Sequence, residues 1–216
     1  MSTTNDLGHL RKSYEKGTLS DALKTTSPLD LFEQWFAEAE AHTAIEEANA
    51  MSIVTLGEDQ FPKARVVLLK QFSAEGFVFY TNYTSRKSGE LMATGKAAFV
   101  IHWKSLRRQI RVTGSVEQVP DAQSDAYYHT RSRGSRIGAW ASQQSKPLQN
   151  RGELTAAVRK IEETYPDEVP RPTHWGGFLI RPAEIEFWAD GDFRLHDRFR
   201  YTKDADGNWA SQRLYP

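Results

Sequence analysis

The chain has no cysteine among its 216 residues. Disulfides, thiolate metal sites, iron–sulfur clusters and a cysteine nucleophile are thereby excluded. It has no excess of either charge, because 28 Lys and Arg balance 28 Asp and Glu. A general nucleic-acid binder needs a large positive field, so that class is disfavoured; a local anion pocket is not. There is no long apolar run. The polar opening MSTTNDLGHLRKSYEKG lacks the apolar centre of a signal peptide, and no later stretch could span a membrane. The expectation is a cytoplasmic protein with no membrane contact. GxGxxG, GxxxxGKS/T and GxSxG are all missing, which removes the signals for Rossmann, P-loop and esterase sites. The six histidines (His9, His42, His102, His129, His174, His196) form neither HExxH nor any close pair, so no metal site is expected. Any phosphate bound here has to be held by side chains.

What is present describes a folded protein. Hydrophobic residues make up 39% and aromatics 12%, enough for one domain with a real core. Residues 1–26 are polar and read as a mobile N-terminal arm, with residues 27–216 forming a single domain. Ser27, Pro28 and Asp30 read as a helix start, and Leu31, Trp35 and Phe36 give it an apolar face to about His42. Strands are expected at 51–56, 64–72, 77–82, 97–103 and 109–119, with a short helix at 85–95. A helical section at 121–130, 135–142 and 151–165 follows. The end returns to strands at 177–181, 184–188, 193–201 and 209–214. Short antiparallel strands with inserted helices indicate an α+β protein built on a β-barrel.

Four clusters carry chemistry. The first is FWADGDFRLHDRF, residues 187–199. Read as a β-hairpin turning at Gly191-Asp192, it puts Phe193 and Leu195 on one strand face and Arg194, His196 and Arg198 on the other. Such a row is a solvated strand face or an anion-binding one. The second is RVVLLK, Arg65 to Lys70: a core strand with a cation at each end, or two phosphate ligands. An ideal strand points those two cations to opposite faces, unless it bulges or the site lies between subunits. The third is FYTNYTSRKSGE, where Arg86 and Lys87 fall in the first turn of the 85–95 helix. Backbone N–H groups and two cations converging there suit an anion. The fourth is YYHTRSRGS, where Tyr127, Arg131 and Ser135 share one face if a single helix continues through them. Gln143, Gln144 and Ser145 lie just beyond, and Gln109 is a further strand amide.

In this order and spacing the clusters resemble the pyridoxine/pyridoxamine 5′-phosphate oxidase family. The resemblance runs from about Leu10 to Pro216. IEFWADGDFRLHDR carries most of it, supported by RVVLLK, FYTNYTSRK and IGAWAS; Ala189 stands where the family more often has a polar residue or glycine. The resemblance implies a homodimeric antiparallel split β-barrel with flanking and inserted helices, and FMN at the subunit interface. FMN contacts would come from Arg65, Val66, Val67, Leu68, Leu69, Lys70, Tyr80, Thr81, Arg86, Lys87, Gln109, Gln144, Ser145, Trp188 and Arg198. Lys70, Tyr127, Arg131 and Ser135 would hold the substrate phosphate. Arg194 and His196 would lie over the pyridine ring as the catalytic pair, and Arg11 and Tyr14 in the arm would close over the site. The implied reaction takes pyridoxamine 5′-phosphate or pyridoxine 5′-phosphate and O2 to pyridoxal 5′-phosphate and H2O2, in vitamin B6 synthesis and salvage.

Two other readings stand beside it. A split-barrel flavin or deazaflavin oxidoreductase with another substrate would have no reason to keep Tyr127, Arg131, Ser135, Arg194 and His196 together. A non-catalytic ligand or RNA-binding module would use the arginines and exposed aromatics, and a steep salt dependence of RNA affinity would reveal it.

Overall fold

A computed structural model of the chain describes residues 19, 20, 23 and 26–216. These form two compact units: one from the described residues up to Ala48 with His102–Arg111 and Glu184–Pro216, the other from Asn49–Ile101 and Val112–Ala183. The expected arm falls almost wholly outside the described residues.

The first unit holds helix α1 (Pro28–Glu40) and the strands β8 (Asp197–Lys203) and β9 (Trp209–Leu214). Ser27 caps α1 by accepting from the Leu29 N–H at 3.3 Å, and Pro28 opens the helix with a preset φ. The apolar stripe Leu31, Phe32, Trp35 and Ala39 is buried. Trp35 meets Phe187 edge-on at 5.2 Å. Phe187, Phe199 and Tyr201 are also buried, and each such ring contributes roughly 1.5–3 kcal/mol. The strand β7 (Trp175–Ala189) ends in this unit, where its residues 184–189 pair with β8 and β8 pairs with β9, all antiparallel.

Here the structure corrects the hairpin read from the sequence. The alternating strand does not start at Phe193. Residues 190–196 are a loop whose middle, Asp192–Arg194, is a 3-10 turn with Phe193 and Arg194 at φ 53 and 65. Phe193 is 92% and Leu195 70% exposed, so the pair has no covered face to alternate towards. The loop is held by backbone bonds instead, from Asp190 N–H to Arg107 O and from Leu195 N–H to Asp192 O. Gly191 serves close approach rather than an unusual φ, since a Cβ there would lie 2.2 Å from the Leu195 oxygen.

The second unit is built on the sheet order β2-β1-β5-β6-β7-β4-β3, with β1 (Ala50–Leu56), β2 (Pro62–Leu68), β3 (Gln71–Ser73), β4 (Gly76–Asn82), β5 (Lys96–Trp103) and β6 (Arg108–Gln118). Its core includes Ile53, Phe77, Phe79, Phe99, Phe178 and Ile180. The strand expected at 64–72 is broken after Leu68 because the chain changes partner. Leu69 N–H bonds to Asn49 O, whereas Lys70 N–H bonds to Val78 O in β4, both at 2.8 Å. The strands expected at 177–181 and 184–188 are one continuous β7. Pro182 lies between the stretch of β7 that β4 pairs, up to Ile180, and the stretch that β8 pairs, from Glu184.

Helix α2 (Arg86–Thr94) ends at Gly95 with φ +61. The helical pieces expected at 121–130, 135–142 and 151–165 are three helices, α3 (Asp121–His129), α4 (Arg133–Ala141) and α5 (Arg151–Thr164), so the condition of one helix continuing through Tyr127, Arg131 and Ser135 is not met. Ser132 causes the break by turning extended and capping α4.

Gly76 gives a stability prediction. Its φ is +143, and a Cβ would lie 2.1 Å from the Ile180 oxygen, whereas nothing lies within 4 Å of one at Gly95. Gly76→Ala is expected to lower the unfolding free energy by about 2–4 kcal/mol and Gly95→Ala by about 1 kcal/mol, read by urea titration. Equal losses would contradict the close approach.

Candidate functional site

The second unit contains a cavity of about 630 Å3. The end of β2 supplies Val66, Val67 and Leu68, followed by Lys70. The end of β4 supplies Tyr80, Thr81 and Asn82, and α2 supplies Lys87. Tyr127 comes from α3, Arg131 and Ser132 from the break, and Ser135 from α4. Ser142, Gln144 and Trp175 complete the polar and aromatic lining. Lys70, Lys87 and Arg131 thus face one cavity that, among the described residues, no carboxylate lines, in a chain of zero formal charge. Such a field favours an anion.

Lys87 is fixed at three points. Its Nζ donates to Gln144 Oε1 at 2.6 Å, Thr81 Oγ1 at 2.7 Å and Ser85 Oγ at 3.1 Å. Burial, and then the nearby Arg65, pulls its ammonium down to about 8. Arg131 is the more exacting group. Its guanidinium lies 4.5 Å from the Trp175 ring centroid and 5.8 Å from that of Tyr128. Its Nη1 is buried with no hydrogen-bond partner among the described residues, and burial pushes the group's pKa below its ordinary value. A desolvated, unpaired N–H of this kind costs stability until an acceptor arrives. Beside it, Ser132 Oγ donates to Ser135 Oγ at 2.9 Å and accepts the Ser135 N–H at 3.4 Å. The Ser135 hydroxyl is therefore held at the positive end of α4.

One wall is aromatic. Tyr80 and Tyr127 stack at 4.0 Å, and Trp175 lies nearly parallel to both, at 5.6 and 6.2 Å. Two glycines make the approach possible. A Cβ at Gly176 would lie 2.2 Å from the Tyr83 hydroxyl, and one at Gly177 2.8 Å from the Tyr80 ring. Trp175 was missed from the sequence, as were Asn82, Ser132 and Ser142. The signal for Trp175 was its place directly before two strand glycines, a pattern that marks tight ring packing.

The remaining residues of the sequence reading sit elsewhere. Arg65 is not on this cavity; its guanidinium bonds Glu90 at 3.2 Å and also Thr55. Leu69 is buried in the core. Arg86 and Ser145 line a neighbouring cavity of about 510 Å3, which Gln144 also lines. Gln109, Trp188, Arg194, His196 and Arg198 belong to the first unit. There, Gln109 is half-buried. Arg198 grips Glu186 with two bonds of 3.1 and 2.8 Å. The His196 ring lies 4.6 Å from the Trp188 ring, and its Nδ1 is 3.3 Å from Asp190 Oδ1. Arg194 is exposed on the 3-10 turn. Arg11 and Tyr14 lie outside the described residues. Among the described residues no group of acidic and histidine side chains could hold a metal, and no helix is long and apolar enough to cross a membrane.

The family described as pyridoxamine 5′-phosphate oxidase matches residues 37–165, and a pyridoxine 5′-phosphate oxidase C-terminal dimerisation region matches residues 175–216. A pyridoxine/pyridoxamine 5′-phosphate oxidase of Bordetella petrii is 49% identical over 207 residues, covering 96% of this chain and 98% of that protein. One of Brucella anthropi is 50% identical, covering 91% and 97%. Among solved structures, PhzG of Burkholderia lata, in complex with tetrahydrophenazine-1-carboxylic acid, has a TM-score of 0.85 at 29% identity and covers 92% of this chain and 98% of its own. An FMN-binding protein of Nostoc punctiforme related to pyridoxamine 5′-phosphate oxidase has a TM-score of 0.72 at 16% identity over 89% of this chain and 100% of its own, a likeness of fold alone. The α+β antiparallel split barrel expected from the sequence is the fold these likenesses share. On identity and coverage together, the chain belongs to the pyridoxamine 5′-phosphate oxidase family.

Proposed function

We propose that the chain binds FMN and oxidises pyridoxamine 5′-phosphate or pyridoxine 5′-phosphate to pyridoxal 5′-phosphate. For the amine, substrate, O2 and water give the aldehyde, ammonia and H2O2; for the alcohol, substrate and O2 give the aldehyde and H2O2. The observation that carries the reading is the buried Arg131 Nη1, which has no acceptor among the described residues, in a cavity whose described lining holds cations and no carboxylate. A phosphate ester supplies the missing acceptor. The residues also fit FMN, since Lys87, Thr81 and Gln144 form a preset polar cluster in the same cavity. When bound, FMN supplies hydride acceptance and its own reoxidation by O2.

The chain's part is positioning and electrostatics. Lys70, Tyr127, Arg131 and Ser135 hold the substrate phosphate; Arg65–Lys70, Tyr80, Thr81, Arg86, Lys87, Gln109, Gln144, Ser145, Trp188 and Arg198 serve FMN. Arg65 brings Glu90 as its own counter-charge, so it adds less net field than Lys87. Arg194 and His196 orient the pyridine ring. The working form is a cytoplasmic homodimer with FMN at the subunit interface, and the dimerisation region matched at residues 175–216 supports the dimer. Arg11 and Tyr14 close the arm over the site. An oxygen-electrode assay with pyridoxamine 5′-phosphate tests the reading. FMN-loaded protein that consumes no oxygen with either phosphorylated substrate would favour a split-barrel oxidoreductase with another substrate.

Lys87 adds a pH prediction. Its ammonium is lowered from 10.5 to about 8 by burial first and Arg65 second. In ligand-free protein it is charged below that pH and neutral above, and an anion prefers the charged form. FMN affinity is expected to be flat up to about pH 8 and to weaken by up to about tenfold per unit beyond it. Flavin-fluorescence titrations read this, and Lys87→Met should flatten the profile; an unchanged slope in that variant would remove Lys87 from the anion site.

A further inference from the structure

We propose that Arg171 is a positioning residue for the phosphate end of the cavity, acting through Tyr127 and Trp175. The inference rests on the reading that this cavity takes a phosphorylated pyridine. Arg171 does not line the cavity. Its side chain is 9% exposed, and it joins two elements that do. Nε donates to Asp125 Oδ1 at 2.6 Å, Nη2 to Asp121 Oδ1 at 2.7 Å and Nη1 to the Trp175 carbonyl at 2.7 Å. The fork thus ties the first turns of α3 to the first residue of β7.

What rides on those two elements is the phosphate end itself. Tyr127 lies near the end of α3, and Arg131 follows two residues after the helix stops. Trp175 opens β7, parallel to Tyr127 within 6° and 4.5 Å from the Arg131 guanidinium. The position of Arg131 against Trp175 is therefore set by how α3 docks on β7. Ser124 contributes one further bond to that docking, accepting the Gly177 N–H at 3.2 Å. Two exposed carboxylates would do little for stability as ordinary surface pairs. Their effect here is geometric, because a planar guanidinium fixes three acceptors at once and a lysine ammonium cannot reproduce the fork.

The test uses the FMN-loaded protein with pyridoxamine 5′-phosphate. Arg171→Lys is expected to raise KM about tenfold and Arg171→Met about 100-fold, with kcat within about threefold, because displacement of about 1 Å can cost two orders of magnitude. Near-ultraviolet circular dichroism of the cofactor-free variants should show a weakened signal from the Tyr80–Tyr127–Trp175 group, which a remote structural role would leave alone. Combined with Tyr127→Phe, the KM losses should multiply to less than their product, since both act on one contact set. Unchanged KM in a folded Arg171→Met, a loss confined to kcat, or fully multiplicative losses would each overturn the proposal. If Arg171→Met does not fold, Arg171→Lys decides by the same readouts. If the unsubstituted protein fails to oxidise the substrate, the functional reading fails by itself, and the dichroism still decides whether Arg171 orders the rings.

Discussion

Arg131→Ala should leave the protein folded and FMN-loaded while raising KM for pyridoxamine 5′-phosphate by about 10²–10⁴-fold. The size follows from losing two charge-assisted bonds to a phosphate oxygen pair, roughly 1.5–3 kcal/mol each. The sparing of FMN follows from the separation of groups, since Lys87 is fixed by Thr81, Ser85 and Gln144 and not by Arg131. Stability should move the other way. The Arg131 guanidinium is half-buried with Nη1 unbonded, and burial lowers its pKa, so its charged form is disfavoured by folding. Removing it relieves that cost, while the lost stacking on Trp175 offsets part of the relief. Ligand-free Arg131→Ala should therefore melt at or slightly above the temperature of the parent. A large fall in melting temperature, or equal losses for FMN and substrate, would make Arg131 a structural residue.

Arg194→Ala should reduce kcat by about 10²–10³-fold with FMN retained, the cost of removing one preorganised charge from a reacting centre. The loop supports the choice of residue. Arg194 is exposed, sits at φ 65, and follows Phe193 at φ 53. Left-handed backbone costs about 1–2 kcal/mol at each non-glycine position. Two such residues in succession indicate strain maintained for something other than stability. Arg194→Gly should accordingly gain about 1 kcal/mol of stability and lose as much turnover as the alanine variant. Urea titration beside steady-state kinetics separates the two effects. Flavin loss in either variant would place Arg194 with the cofactor instead.

How much of this was legible in the sequence varies with how local the cause is. Helix α1 was readable because Ser27, Pro28, Asp30 and the Leu31–Trp35 spacing all act within the helix itself. Helix α2 was readable at both ends, from Ser85 and Gly95. The break after Leu68 was not, because it depends on Asn49 and Val78, distant residues that take over the backbone bonds of Leu69 and Lys70. The continuity of β7 through Pro182 was not legible either, since it rests on pairing with strands distant in sequence. The loop at 190–196 misled because Phe193 and Leu195 alternate with Arg194 and His196 as in a half-buried strand, yet both are largely exposed. At the cavity, Tyr127, Arg131 and Ser135 were grouped on the premise of one helix. They line the same cavity across a helix break, so the spacing pointed to them by a route the backbone does not take. Trp175 was passed over because its neighbours Tyr80 and Tyr127 are close only in space.

The most direct measurement of the central claim is an absorbance spectrum of the purified protein, followed by anaerobic pyridoxamine 5′-phosphate. The account predicts a yellow protein whose flavin bands bleach with the substrate and return on admission of air. A colourless protein that takes up no FMN, or bound flavin that stays oxidised with both phosphorylated substrates, would contradict it.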